Sequence, residues 1–380
     1  MFSGMNIDNT AFESMRRRVL YPGGAFSLMV YSSHMAEALY RKYRPKKFSE
    51  VVGQDHITKV LEGAIEQENI GHAYLFAGSR GLGKTTIARI FAKAIGCTEN
   101  DLYEIDAASH TGVDNIRELS ENVYTLPFDS PYKVYIIDEV HMLSKSAFNA
   151  FLKTLEEPPK HVVFILATTE TDKLPETIVS RCQTFTFKKP SRKVLTSVVS
   201  KVSKKEEFEL EASAAELIAL LADGSFRDAL SILQKIHASS KDKKVSVDEV
   251  EEVTGAPKRK LISDYVEGIL KGEKEKALSS IALAEESGVD MRTFLTLVLD
   301  YLRAVLLLKH VGSMEKDFVA QYGEDEVAQM KELTGAISPA ALIAHLEASK
   351  EMRFAPIPSL PLELAVIKLI GQDSEEENIA

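Results

Sequence analysis

Cysteine is scarce in this sequence of 380 residues: Cys97 and Cys182 are the only two. Two thiols cannot build a disulfide framework or, within one chain, a four-cysteine zinc site, so a reducing, cytoplasmic compartment is expected. Long apolar runs are missing too. No stretch reaches 18 consecutive apolar residues, and no membrane span is expected. Basic charge is short as well, with 46 Lys and Arg against 56 Asp and Glu and a formal net charge of −10, a balance that taken whole argues against a polyanionic partner. Its distribution reverses that argument. Residues 1–200 carry 24 basic and 23 acidic side chains while residues 201–380 carry 22 and 33, so the first half can still meet a polyanion.

What is present is globular: 45% apolar and 27% charged residues, over a length that fits two or three domains. Residues 1–34 stand apart. Arg16-Arg17-Arg18 precede a short apolar run, and Ala36-Glu37-Ala38 mimics a signal-peptide cleavage site, but Pro22-Gly23-Gly24 breaks the would-be apolar core. This segment is expected to be an extension outside the fold, or to precede the true start at Met35.

From Ala73 to Phe187 the chain alternates short β-branched or aromatic runs with helical patterns. The runs are Ala73–Ala77, Leu102–Asp106, Val134–Asp138, Val162–Ala167 and Thr184–Phe187, and the alternation predicts a five-stranded parallel sheet with crossover helices in one three-layer α/β domain. Between the third and fourth, Ser144 caps a helix with apolar Ala147, Phe148, Phe151, Leu152 and Leu155, which Pro158-Pro159 ends. Strand signals stop after Pro190. Residues 35–189 are therefore expected to form the α/β domain, 190–255 a small helical domain, 256–372 an all-α domain and 373–380 an acidic tail. Within the last helical block, Met291 to His310 is apolar on most sides and predicts a buried helix, part of whose surface can meet another subunit.

Gly78-Ser79-Arg80-Gly81-Leu82-Gly83-Lys84-Thr85 fits the eight-residue phosphate-loop pattern, for which a chance match in a chain this long has a probability of about 1%. A strand enters it and a helix leaves it, as the chemistry requires. Glycines let backbone N–H groups turn in around phosphates, Lys84 reaches the β and γ phosphates, and the Thr85 hydroxyl ligates Mg²⁺. At the end of the third strand, Asp138 can hold that Mg²⁺ directly or through water, and Glu139 can polarise a water for in-line attack. Binding and hydrolysis of ATP is the expected chemistry.

With these residues stand Arg41-Lys42-Tyr43-Arg44-Pro45, Val51-Val52-Gly53-Gln54, Leu155-Glu156-Glu157-Pro158-Pro159, Ser180-Arg181-Cys182 and Gly224-Ser225-Phe226-Arg227-Asp228. In this order the blocks resemble the AAA+ clamp-loader ATPases of bacterial DNA replication. The resemblance implies a P-loop AAA+ domain, a helical lid and an all-α collar. It implies nucleotide binding by Gly78 to Thr86, with Asp138, and an adenine and ribose pocket around Tyr43, Arg44, Pro45, Val51 and Val52. Thr168 or Thr169 resembles the residue that reads the γ-phosphate, Arg227 the lid arginine that touches the nucleotide, and Arg181 an arginine finger presented to a neighbour's ATP. Arg227 also lies in the first turn of a helix capped by Ser225, where a cation opposes the helix dipole and an external anion is the natural partner.

The implied partners are companion subunits in a hetero-pentamer that includes further copies of the chain, a sliding clamp and primer-template DNA, with no membrane. Polymerase core would be engaged only through a long tail, and the chain resembles the short form without it. For DNA, Arg117 and nearby amides are the expected contributors, against an i,i+4 pair with Glu121. One departure is plain. Where family members carry a four-cysteine zinc module, Cys97-Thr98-Glu99-Asn100-Asp101 leads straight into Leu102, and no zinc is expected. The alternative expectation is a stand-alone AAA+ DNA-remodelling ATPase for branch migration or recombination.

Overall fold

The computed structural model describes residues 37–109, 112–240 and 242–371; the expectations for residues 1–34 and 373–380 lie outside them. Five parallel strands, β1 (Ala73–Ala77), β2 (Leu102–Asp106), β3 (Lys133–Asp138), β4 (Val162–Thr168) and β5 (Gln183–Thr186), form one sheet in the order β2-β3-β4-β1-β5. Every residue of β1 and β4 is buried, as central strands covered on both faces must be. Alternate side chains serve two cores. Tyr135, Ile137, Phe164 and Leu166 pack with Phe148 and Phe151 on one face, while Tyr74, Phe76, Ile136 and Ile165 pack with Ile87 and Phe91 on the other. Truncating one of these rings to alanine costs about 3–5 kcal/mol by the usual scale for core aromatics.

The strand expectations hold to within a residue at their ends. β3 starts earlier than its apolar run because Lys133, a residue that reads as loop, is buried with its ammonium bonded to Asn122 O at 2.8 Å and Thr125 Oγ1 at 2.7 Å. The strand order decides where chemistry can occur. β4 lies between β1 and β3, so the carboxyl ends of these three strands meet at one edge of the sheet.

After the sheet, the helices Arg192–Lys205, Ala212–Leu221, Phe226–Ser239 and Val247–Thr254 share a separate core around Val199, Ile218, Leu233 and Val250. Ser191, Ser225 and Ser246 each cap one of them through the side-chain oxygen. Two features depart from expectation. A two-residue parallel pair, β6 (Glu209–Leu210) with β7 (Lys244–Val245), sits among helices where no strand is expected, because two residues are too few to display a period of two. The Leu39–Lys42 helix, expected with the sheet, packs on the helical bundle: Leu39 is part of its core and Leu39 N donates to Gln234 Oε1 at 2.9 Å.

The remaining helices, Arg259–Lys271 to Leu360–Gly371, enclose a fourth core. Met291–His310 runs through it with Phe294, Leu295, Val298, Leu302 and Val305 buried. Leu297, Leu299 and Leu306 to Leu308 pack partly buried against the same core, so this helix is largely spoken for within the chain. Exposed apolar side chains lie instead on neighbouring helices, at Ile343, Leu346, Leu364 and Ile367. A two-pronged ion pair fastens this block to the preceding one: Arg192 donates to Asp300 at 2.6 and 3.0 Å, and Gln321 and Tyr322 donate to the same carboxylate. No helix of the described residues is long and apolar enough to cross a membrane.

Candidate functional site

β1 delivers the chain into the Gly78–Gly83 loop, and the Lys84–Ala94 helix leaves it. Gly81, at φ +77°, has no room for a side chain: a Cβ there would lie 2.0 Å from Ser225 Oγ, and Gly81 O accepts from Phe226 N at 3.1 Å. The loop therefore touches the start of the Phe226–Ser239 helix. Lys84 is buried and donates to Gly78 O at 2.6 Å and Ser79 O at 3.0 Å. Burial pulls its pKa below the ordinary lysine value, against the opposing pull of Glu139 and Asp138. Thr85 Oγ1 donates to Asp138 Oδ2 at 2.7 Å, which joins the helix start to the end of β3.

Glu139 follows with φ +48°, a left-handed conformation that costs a non-glycine residue on the order of 1–2 kcal/mol. The turn separates its side chain from that of Asp138, and Thr169 Oγ1 donates to Glu139 Oε2 at 3.0 Å. Thr168 points the other way. Its hydroxyl accepts from Glu170 N at 3.0 Å and lies 3.0 Å from His141 Nδ1. Of the two threonines considered from sequence, Thr169 is the one brought to Glu139.

Gly81, Lys84, Thr85, Asp138 and Glu139 border a cavity of about 210 Å³, and Thr168 and Thr169 lie outside its lining. Arg80 to Thr86 line its phosphate end with Asp138 and Glu139 beside them, and Tyr43, Arg44, Pro45, Val51 and Val52 line the far end. Arg227 enters from the helical bundle, its guanidinium 5.7 Å from the Tyr40 ring centre. Among the described residues, no carboxylate lies within ion-pair distance of Arg44, Lys84 or Arg227. Burial, and then the nearby Arg89 and Arg227, lower the Arg44 pKa. Gly78 and Ser79 face Lys84 rather than the cavity.

Arg181 lies elsewhere. It donates to Glu156 Oε1 at 2.6 Å and Thr177 O at 2.8 Å, outside the cavity of its own chain. Arg117 is exposed and pairs with Asp114 at 3.3 Å, not with Glu121, because the i,i+3 partner is the one its rotamer reaches. Burial pushes the thiols of Cys97 and Cys182 up to about 11 and about 12, so neither is a ready nucleophile.

Several contributors escaped the sequence reading. Tyr40, Glu50, Val198, Phe226 and Leu230 also line the cavity. Phe226 was within reach, lying beside Arg227 in one motif; Val198 had no signal, being one apolar position of an ordinary amphipathic helix. Glu206 holds the Tyr43 hydroxyl and the Lys42 ammonium, and so steadies the far wall.

The donor set fits a nucleotide. Cations and a helix start suit phosphates, and a hydroxyl bonded to a carboxylate offers the hard oxygens that Mg²⁺ takes, leaving its other positions to phosphate and water. Comparisons with known proteins point the same way. The profile described as DNA polymerase III, delta subunit, matches residues 53–111 and 100–191. That described as DNA polymerase III clamp loader subunit, ATPase lid domain, matches 195–240. That described as DNA polymerase III subunits gamma and tau domain III matches 245–379. DNA polymerase III subunit tau of Bacillus subtilis is 39% identical over 358 residues, covering 88% of this chain and 63% of that one. Subunit tau of Escherichia coli is 36% identical over 363 residues, covering 88% and 55%. The chain thus spans between about half and two thirds of the length of these relatives. Among solved structures, the Thermotoga maritima RuvB Holliday junction branch migration motor aligns at 21% identity and a TM-score of 0.48, over 60% of this chain and 79% of that one. The stand-alone remodeller is not the favoured alternative.

Proposed function

The chain belongs to the family of the DNA polymerase III gamma and tau subunits, and on that premise we propose that it is an ATP-hydrolysing motor subunit of a clamp loader. One observation carries the reading: Lys84, the Thr85–Asp138 pair and Glu139 converge on a cavity that Arg44 and Arg227 also line.

In this reading the amides from Arg80 to Thr86 cradle the phosphates of ATP, Lys84 neutralises the β and γ groups, and Arg227 reaches the nucleotide from the lid. Thr85 and Asp138 would hold Mg²⁺, which when bound supplies positive charge to the β and γ oxygens. Glu139 takes a proton from a water as the water oxygen bonds to the γ phosphorus. The bond from that phosphorus to the β–γ bridging oxygen breaks, giving ADP and inorganic phosphate. Thr169 holds Glu139 during the step. The base lies against Tyr43, Pro45, Val51 and Val52. Arg181, turned outward, serves the ATP of a neighbouring subunit, where an arginine finger contributes about 10³–10⁵ in rate.

Domains at 35–189, 190–255 and 256–372 then act as ATPase module, lid and collar. The partners are companion subunits and further copies of the chain, a sliding clamp and primer-template DNA. The test is co-purification with candidate companion subunits and clamp, followed by ATPase assays. Turnover should rise when companions, clamp and primed DNA are added together, and a rate that stays flat counts against clamp loading. Arg181→Ala should slow the assembly while leaving ATP affinity of the isolated chain unchanged; weaker binding by the isolated variant would overturn the trans role.

A further inference from the structure

The turn after β3 brings to Glu139 a side chain that the hydrolysis scheme does not use. Left-handed Glu139 reverses the chain into the 3₁₀ turn Val140–Met142, and the reversal sets His141 against the end of β4. Its side chain is 6% exposed. Nδ1 lies 3.0 Å from Thr168 Oγ1 and 3.5 Å from Glu139 Oε2, and Nε2 lies 3.3 Å from Glu170 Oε1. Glu170 is itself held by Lys173 at 2.8 Å.

The strand pleat explains why a bridging ring has a task here. Thr168 and Thr169 are consecutive, so their side chains leave in opposite directions and only Thr169 reaches Glu139 directly. His141 hydrogen-bonds the other threonine and comes within 3.5 Å of the same carboxylate oxygen. Glu139 Oε2 then meets the Thr169 hydroxyl on one side and the imidazole on the other, and the imidazole is anchored to β4 at Thr168 and beyond it at Glu170. A ring that only filled space would meet apolar atoms; both nitrogens of this one meet oxygen.

We propose that His141 is a positioning residue for ATP hydrolysis: by bridging Glu139, Thr168 and Glu170 it fixes the Glu139 rotamer in which Oε2 is engaged and the other oxygen serves the attacking water. His141 does not line the cavity, so it acts through Glu139 and not on substrate. The proposal rests on the reading of Glu139 as the base. A carboxylate free to rotate spends part of its time misaligned, and small misplacements of a base cost large factors in rate without altering the affinity for substrate.

The experiment compares single-turnover hydrolysis and ATP affinity for the full chain assembled with its companion subunits. His141→Ala should slow the chemical step by about 10- to 100-fold with the ATP Kd held within about twofold. His141→Asn, whose amide can occupy the Nδ1 side but cannot reach Glu170, should recover part of the rate. Because the ring works through Glu139, the Glu139→Gln/His141→Ala double variant should be no slower than Glu139→Gln alone. A parental rate for His141→Ala, an equal loss of affinity and rate, or additive losses in the double variant would overturn the proposal. If the alanine variant does not fold, His141→Asn decides: a lowered rate at unchanged affinity supports the role, and an unchanged rate removes it. Parental turnover by Glu139→Gln would instead overturn the hydrolysis scheme, so the two failures are distinguishable.

Discussion

The two ends of the cavity are built differently. The phosphate end is one stretch, Arg80 to Thr86, anchored between a fully buried strand and the helix it starts, with Asp138 and Glu139 supplied by the next strand but one in the sheet. The opposite wall is assembled from four separated stretches: Tyr40–Pro45, Glu50–Val52, Val198 and Phe226–Leu230. Tyr40, Tyr43, Val198, Phe226 and Leu230 pack with the core around Val199, Ile218 and Leu233, whereas Val51 packs with a core of the sheet. Most apolar side chains of that wall are thus held by a core other than those of the sheet, and Phe226 N ties it to the loop at Gly81 O. On the proposed function, the phosphate end would carry the chemistry and the opposite wall would sense the nucleotide.

Changes at the two ends should separate accordingly. The largest effect belongs to the phosphate end: Lys84→Ala should reduce turnover at least about 100-fold in a steady-state ATPase assay, as loss of a charged transition-state contact does. Turnover equal to the parent would remove the phosphate end from the comparison altogether. Arg227→Ala should act mainly on binding, weakening ATP affinity about 10- to 100-fold by titration calorimetry, the cost of one charge-assisted hydrogen bond. If it slowed the chemical step and left affinity intact, the lid wall would be catalytic and the division between the ends would fail. A smaller loss is expected from Glu206→Gln, which loosens Tyr43 and Lys42: about fivefold in ATP affinity or less, since each contact is partly exposed.

Acid should part the regions by pH. Burial lowers the pKa of His237 and of His345, so the folded state favours their neutral forms. Their contribution is complete above about pH 6.5 and is lost as pH falls below that value. Asp101, in the sheet domain, behaves otherwise. Burial raises its pKa, but the Ser130 hydroxyl and the amides of Phe128, Asp129 and Ser130 outweigh it and hold the carboxyl down at about 2. Its contribution persists above about pH 4 and disappears as pH falls toward 2. Hydrogen exchange followed by region should lose protection first in Phe226–Ser239 and Pro339–Glu351, and only at lower pH around residues 128–130. Simultaneous loss would show one cooperative unit instead of separable ones.

Much of the sheet was legible because buried parallel strands announce themselves as continuous apolar runs, and because Ser144 and Ser225 mark helix starts by local chemistry. The phosphate loop was legible for the same reason: its function needs glycines, a lysine and a threonine at fixed spacing along one stretch. Lys133 and the β6–β7 pair were not, since a buried lysine is satisfied by partners from other elements and a two-residue ladder has no period.

What the sequence determined by itself was contiguous: the strands, the caps, the loop from Gly78 to Thr85, and the Asp138-Glu139 pair at a strand end. Tertiary structure alone decided that Thr169 and not Thr168 meets Glu139, that Leu39 and Tyr43 lean on the helical bundle, and that His141 turns back onto β4. These are contacts between residues far apart in the chain, or choices between neighbours on a pleat. They are set by strand order and by the hand of one turn, neither of which is written in any local pattern of residues.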